Sequence, residues 1–173
     1  MSVPFEVGIV GSRRRNTLHD RTLVFRILSK LHEKYEELWV ISGGATQGAD
    51  AFAKEWVLKM PHGPLVRYIE FPATKDDLPW ETEPRKAYGI FTQRAYARNR
   101  MIAKRSVELY ALVAEDRRGG TENTIQHAIE LGTPVFLVTG TGYVYLSLDG
   151  KIPPCEPASF LLDSSPIGSN TTS

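Results

Sequence analysis

The sequence predicts an α/β fold: a single Rossmann-like, doubly wound parallel sheet of about five strands with helices on both faces. Three observations carry this expectation. Short apolar runs alternate with segments whose apolar residues recur at helical spacing. The runs are rich in Val, Ile and Leu, as strands covered on both faces are. Glycine-rich turns follow the second and fourth runs. Right-handed crossovers then favour the doubly wound topology. A chain of 173 residues suffices for one such domain and is too short for two ordinary ones.

Phe5 to Val10 reads as a buried strand ending at Gly11. From Thr17, Val24, Phe25, Ile27, Leu28, Leu31 and Tyr35 fall at helical intervals. Leu38 to Ser42 is the second strand. Ala49, Phe52, Ala53, Trp56, Val57 and Met60 then mark one helix face, stopped by Met60-Pro61-His62-Gly63-Pro64. LVRYIEF, from Leu65 to Phe71, alternates enough to lie near a sheet edge. Residues 72–87, with Pro72, Pro79 and Pro84, read as a long loop. A helix is expected from about Tyr88 to Ser106, a fourth strand from Val107 to Ala114, a short helix after Gly119-Gly120, and a fifth strand in PVFLV. YVYLSL, near 143–148, can add an edge strand. The domain is expected to span 1–149, with 150–173 a Pro- and Ser-rich tail.

Composition narrows the function. A formal net charge of +1 gives no global argument for nucleic acid or membrane binding, so any such argument is local. One cysteine, Cys155, excludes an intramolecular disulfide and a cysteine-based metal site. His19, His32, His62 and His127 lack metal-ligand spacing, and no metal or required cofactor is expected. No segment approaches a membrane span, and the basic residues after the first apolar run reverse the order of a secretory signal. A cytoplasmic protein is expected.

In such a sheet, ligands bind outside the carboxyl ends of the strands, at the switch point. The segments expected there carry seven of the 21 Lys and Arg: Arg13, Arg14, Arg15, Arg98, Arg100, Arg117 and Arg118. Gly43, Gly44 and Gly48 let the backbone turn sharply and aim amide N–H groups at an anion, aided by the following helix dipole. Gly119-Gly120-Thr121 repeats the device. Gly43 and Gly48 have P-loop spacing, but Ala49 and Asp50 stand where the Lys and Ser/Thr belong, which argues against a Mg-triphosphate hydrolase. GIVGSRRRN lacks G-x-G-x-x-G, so an ordinary dehydrogenase is excluded as well. A phosphate held by amides and arginines fits these residues.

GIVGSRRR, ISGGATQGADAFA, YARNRMIA and GGTENTIQHAIELGTPVFLV together resemble the SLOG superfamily over roughly residues 5 to 138. The resemblance is closest to the DprA/Smf and YspA-like branches and more distant to the LOG phosphoribohydrolases. It implies a nucleotide-type ligand, held by the first glycine loop, the Arg-Asn-Arg segment and the GGT turn. DprA-like members bind single-stranded DNA. LOG members hydrolyse the N-glycosidic bond of a nucleoside monophosphate, with an arginine and a glutamate near the GGT turn. Other SLOG domains are expected to sense nucleotide signals, NAD- or ADP-ribose-related ones included. Arg98-Asn99-Arg100 agrees with the DprA pattern better than with the LOG motif, and the Trp80 loop is similar to one in YspA-like proteins. A homo-oligomer is expected by the same analogy.

The expected ligand-binding set is therefore Gly11, Ser12, Arg13, Ser42, Gly43, Gly44, Ala45, Gly48, Asp50, Trp80, Arg98, Asn99, Arg100, Gly119, Gly120 and Thr121. Arg13, Arg98 and Arg100 would neutralise phosphate, Asn99 would hold the loop or bond a ribose, Asp50 would meet ribose hydroxyls, and Trp80 would stack on a base. If the ligand is cleaved, Glu122 is the candidate to activate water or stabilise an oxocarbenium-like transition state. The leading reading is a sensor or sequestering protein for a nucleotide-derived molecule. The alternatives are a LOG-like N-glycosidase and a DprA-like single-strand binder.

Overall fold

A computed structural model describes residues 3–59, 65–73 and 84–158, with 84–88 as backbone only. The chain runs β1 (Phe5–Gly11), α1 (Leu18–Lys34), β2 (Leu38–Ser42), α2 (Ala49–Lys59), β3 (Val66–Glu70), α3 (Pro84–Arg105), β4 (Glu108–Leu112), α4 (Gly120–Glu130), β5 (Val135–Val138) and β6 (Val144–Ser147). The strands form one sheet in the order β3-β2-β1-β4-β5-β6. The first five are parallel, and β6 returns antiparallel beside β5 as the expected edge strand. β3, alternating in sequence, lies at the opposite edge.

The two faces explain the apolar runs. Val7, Ile9, Val40 and Leu112 pack against Leu23, Val24, Ile27 and Leu28 of α1 and against Ala53 and Trp56 of α2. Val10, Ile41, Leu109 and Ala111 face the other way, against Ile102 and Ala103 of α3 and Ile125 and Ala128 of α4. Every central strand is thus apolar on both sides, which is why periodicity alone could not orient it.

One boundary differs from expectation. α3 begins at Pro84, inside the stretch read as loop. Proline lacks only an N–H that a first-turn residue leaves unbonded anyway, so it opens helices well. The expected stop at 60–64 and the tail beyond 158 lie outside the described residues.

Gly8 shows how closely α3 seats on the sheet. A Cβ there would strike Ser106 Oγ and Leu109 Cδ1. The Ser106 hydroxyl is fixed by a 2.7 Å bond to the Ile102 carbonyl, and both residues are buried. Gly8→Ala should therefore destabilise the fold by about 1–3 kcal/mol through overpacking. A urea midpoint unchanged from wild type would show that α3 can shift without penalty.

Candidate functional site

Chain order reverses between β1 and β4, and their carboxyl ends diverge there. A cavity of about 400 Å3 opens at that point. Its walls come from the loop after β1, the loop after β2, one face of α3 and the start of α4.

The three consecutive arginines after β1 have three different fates. Arg13 lines the cavity. Arg14 crosses the rim to Asp116 in a two-pronged pair at 2.5 and 2.6 Å. It holds the Asp116 carboxyl below the ordinary carboxylate range. Arg15 turns inward and is buried. It bonds Asp20 at 2.7 Å and the carbonyls of Val113, Val138 and Thr139 at 2.9 to 3.0 Å. Arg15 thereby ties together the chain just past β4 and β5, and its place in the basic rim is corrected to a structural one.

The first glycine loop is folded upon itself. Its Ala45 N–H donates to Asp50 Oδ2 at 3.1 Å, and its Gly48 N–H to Asn16 Oδ1 at 2.9 Å. Two of the amides expected to cradle an anion are therefore already bonded. Gly48, at φ +77°, has its missing Cβ 3.0 Å from the Ser12 carbonyl, which lets the two loops touch. Gly44, at φ +72°, leaves room for the Glu70 carboxylate, which Lys54 holds at 2.9 Å. Gly11 brings α2 close: a Cβ there would lie 2.8 Å from that of Ala49.

The second glycine turn is different. α1 begins with a full capping box between Thr17 and Asp20. α4 follows Gly119, which occupies its capping position and offers no side-chain cap. Gly119 has φ 100° and ψ −159°, backbone that suits glycine almost alone. Among the described residues the N–H groups of Gly120 and Thr121 meet no acceptor, and all three residues line the cavity. Asn99, buried on α3, donates to the Gly120 carbonyl at 3.2 Å and to Asn123 Oδ1 at 3.1 Å. It pins the carbonyl side of the turn and leaves the amide side to the cavity.

Arg98 is half-buried and donates to the Gly43 carbonyl at 3.1 Å and to Asn99 Oδ1 at 3.1 Å. Burial lowers its pKa, the nearby Asp50 charge raises it, and burial prevails. Burial likewise pushes the Asp50 carboxyl above its ordinary range, against the Ala45 N–H and the Arg98 charge. Asp50 is the one carboxylate among the described residues lining the cavity.

Of the expected set, the cavity gathers Gly11, Ser12, Arg13, Gly43, Ala45, Asp50, Arg98, Asn99, Gly119, Gly120 and Thr121. Ser42, Gly44, Gly48 and Arg100 stand outside its lining. Trp80 lies outside the described residues. Glu122 faces a separate cleft with Ile125, Asp149 and Lys151. There its carboxylate is gripped by Arg117 at 2.6 and 2.8 Å, and Arg117 also bonds the Gly150 carbonyl at 2.5 Å. Arg117, at φ 48°, is the one non-glycine residue with positive φ among those described. The pair braces the turn from behind.

Sequence reasoning missed the apolar wall. Phe91, Ala95 and Ile102 fall at i, i+4 and i+11 with Arg98 and Asn99 at i+7 and i+8, one face of α3 that lines the cavity. That spacing was the available signal. Among the described residues no cluster of His, Cys, Asp or Glu could hold a metal ion, and no helix is long and apolar enough to cross a membrane.

With this geometry in hand, comparison with known proteins agrees with the resemblance read from the sequence. Residues 7–69 match the model of YAcAr, the YspA, cpYpsA-related SLOG family. That stretch runs from within β1 to within β3 and includes the first glycine loop, while α3 and the GGT turn lie beyond it. A molybdenum cofactor binding protein from the phototrophic bacterium Rippkaea orientalis superposes over 80% of this chain and 78% of its own, at TM-score 0.56 and 18% identity. This likeness shows that the shared fold extends well past the matched stretch. S. aureus MnaA, in a structure with UDP, covers 79% of this chain and 28% of its own at TM-score 0.43 and 14% identity. No curated protein matches in sequence.

Proposed function

We propose that the protein binds a phosphorylated, nucleotide-type small molecule in the switch-point cavity, with the phosphate on the first turn of α4. One observation carries this reading: a helix start with open amides and no internal cap, built into a cavity wall. Aligned N–H groups and the positive end of the helix make such a terminus an anion site. Arg13 and Arg118 line the same cavity and supply counter-charge. The volume of about 400 Å3 lies in the range that small-molecule sites occupy, roughly 300–1,000 Å3. Phe91, Ala95 and Ile102 offer an apolar surface for a base. The solved relative, at its low identity, speaks for the fold, so the ligand class rests on the cavity.

Binding is favoured over cleavage. Glu122, the carboxylate expected to activate water, is neutralised by Arg117 outside the cavity.

Calorimetric titration with AMP, ADP, ADP-ribose, NAD and adenosine tests the reading. At least one phosphate-bearing compound should bind while adenosine does not. Arg118→Ala should weaken that compound about tenfold, the loss of one charge-assisted contact. Adenosine binding as tightly as AMP would remove the phosphate from the argument. Mass spectrometry of the same mixtures should show no free base.

A further inference from the structure

We propose that Asp50 and Arg98 form a second subsite on the cavity floor, which reads a vicinal diol such as that of a ribose. The inference rests on the phosphate-binding reading above and assigns the neighbouring part of the same ligand.

Gly43 defines the place. Where its Cβ would stand, Arg98 Nη1 lies 2.9 Å away on one side and Asp50 Oδ2 3.0 Å away on the other. The two charges flank one notch and form no direct ion pair. Asp50 accepts from the Ala45 N–H, and among the described residues no cation forms a salt bridge with it. Arg98 uses Nε and Nη1 on Asn99 and Gly43, and its Nη2 donates to no group among the described residues. Asp50 is 7% exposed. A buried carboxylate and a half-buried guanidinium held near each other but unjoined are unfavourable in an empty site. Such an arrangement is expected where a ligand completes it.

The missing group must donate to a carboxyl and accept from a guanidinium at adjacent positions. Two neighbouring hydroxyls do both. A phosphate does not, because Asp50 would repel it while Arg98 attracted it. The carboxylate thus separates the cavity into an anion end at α4 and a hydroxyl-reading end over Gly43. An edge of a nucleobase with adjacent N–H and C=O groups has the same donor and acceptor pattern, so the test separates sugar from base.

The probes are AMP, 2′,3′-dideoxy-AMP, ribose 5-phosphate and 2-deoxyribose 5-phosphate, titrated into the unmodified protein. Sites built to bond a hydroxyl reject analogues that lack it, because the buried partners stay unpaired. AMP should bind at least tenfold tighter than its dideoxy analogue, and ribose 5-phosphate tighter than the deoxy sugar. Asp50→Asn should shrink both ratios toward one while melting no lower than wild type. Equal affinity for AMP and dideoxy-AMP overturns the diol subsite and leaves the phosphate reading standing. Failure of all four probes, and of ADP, ADP-ribose and NAD, to bind overturns both. Discrimination of AMP from dideoxy-AMP that survives in a folded Asp50→Asn protein also overturns the assignment.

Discussion

Arg15→Ala should be the most destabilising single substitution at the rim, at about 3–5 kcal/mol, the usual result of stripping one partner from a buried pair. The guanidinium meets one carboxylate and three carbonyls while 9% exposed. Its loss leaves Asp20 buried without its cation and the Val113 carbonyl without its donor, while the Val138 and Thr139 carbonyls keep the N–H groups of Val113 and Gly142. For a domain of this size that predicts a Tm lower by about 2–4 °C per kcal/mol. Arg15→Lys should recover little, since an ammonium cannot span the same fork of acceptors.

The pH dependence identifies the partner. Burial pushes the Asp20 carboxyl up, but the bonds from Arg15 and Thr17 outweigh it and hold it below its ordinary value of 3.8. A carboxyl depressed in the folded state contributes stability above that value, and the contribution is lost as pH falls through the folded pKa. In Arg15→Ala the Arg15 part of that pull is gone while the Thr17 bonds stay, so the Asp20 pKa rises relative to wild type and less stability is lost on acidification. The stability gap between wild type and variant should be widest near neutral pH and narrow as pH falls below about 4, toward the depressed folded pKa of wild-type Asp20. Urea midpoints across that range measure it. A constant gap would mean that Asp20 is not the group left unpaired.

The order of elements was legible because each strand is a short apolar run and each helix shows one apolar face. Leu38 to Ser42 and YVYLSL were placed correctly for that reason. Position along the chain also brought the glycine loops and the Arg98-Asn99 segment to one edge. The division of labour within that edge was not legible. Arg13, Arg14 and Arg15 are chemically identical, and only the distance to Asp116 or to the β4 and β5 carbonyls sorts them. The two glycine turns look alike in sequence, yet Asp50 and Asn16 occupy amides of the first while no side chain among the described residues caps the second. Glu122 has the residue type and turn position of a catalytic carboxylate. Its partner Arg117 sits five residues earlier with an unusual backbone angle that no composition rule reveals. Contacts between loops decide these roles, and loops carry no periodicity.

If the open amides at α4 hold the phosphate, filling them with a built-in carboxylate should separate stability from binding. Thr121 is the second residue of α4 and lines the cavity. In Thr121→Asp the new charge meets the helix dipole favourably, which predicts a gain of about 0.3–1 kcal/mol in stability. The same charge stands where the ligand phosphate must arrive. Two like charges roughly 4 Å apart repel by about 4 kcal/mol at the effective dielectric of a protein surface. Even after solvent screening, AMP affinity should fall by about a hundredfold or more, equivalent to some 2.7 kcal/mol. Thr121→Asn adds the same volume without the charge and should lose far less. A variant that is stabler and nearly blind to AMP would locate the phosphate at α4, since damage to the fold would lower both quantities together. An aspartate variant that binds AMP as wild type does would place the phosphate elsewhere, with Arg13 the next position to vary.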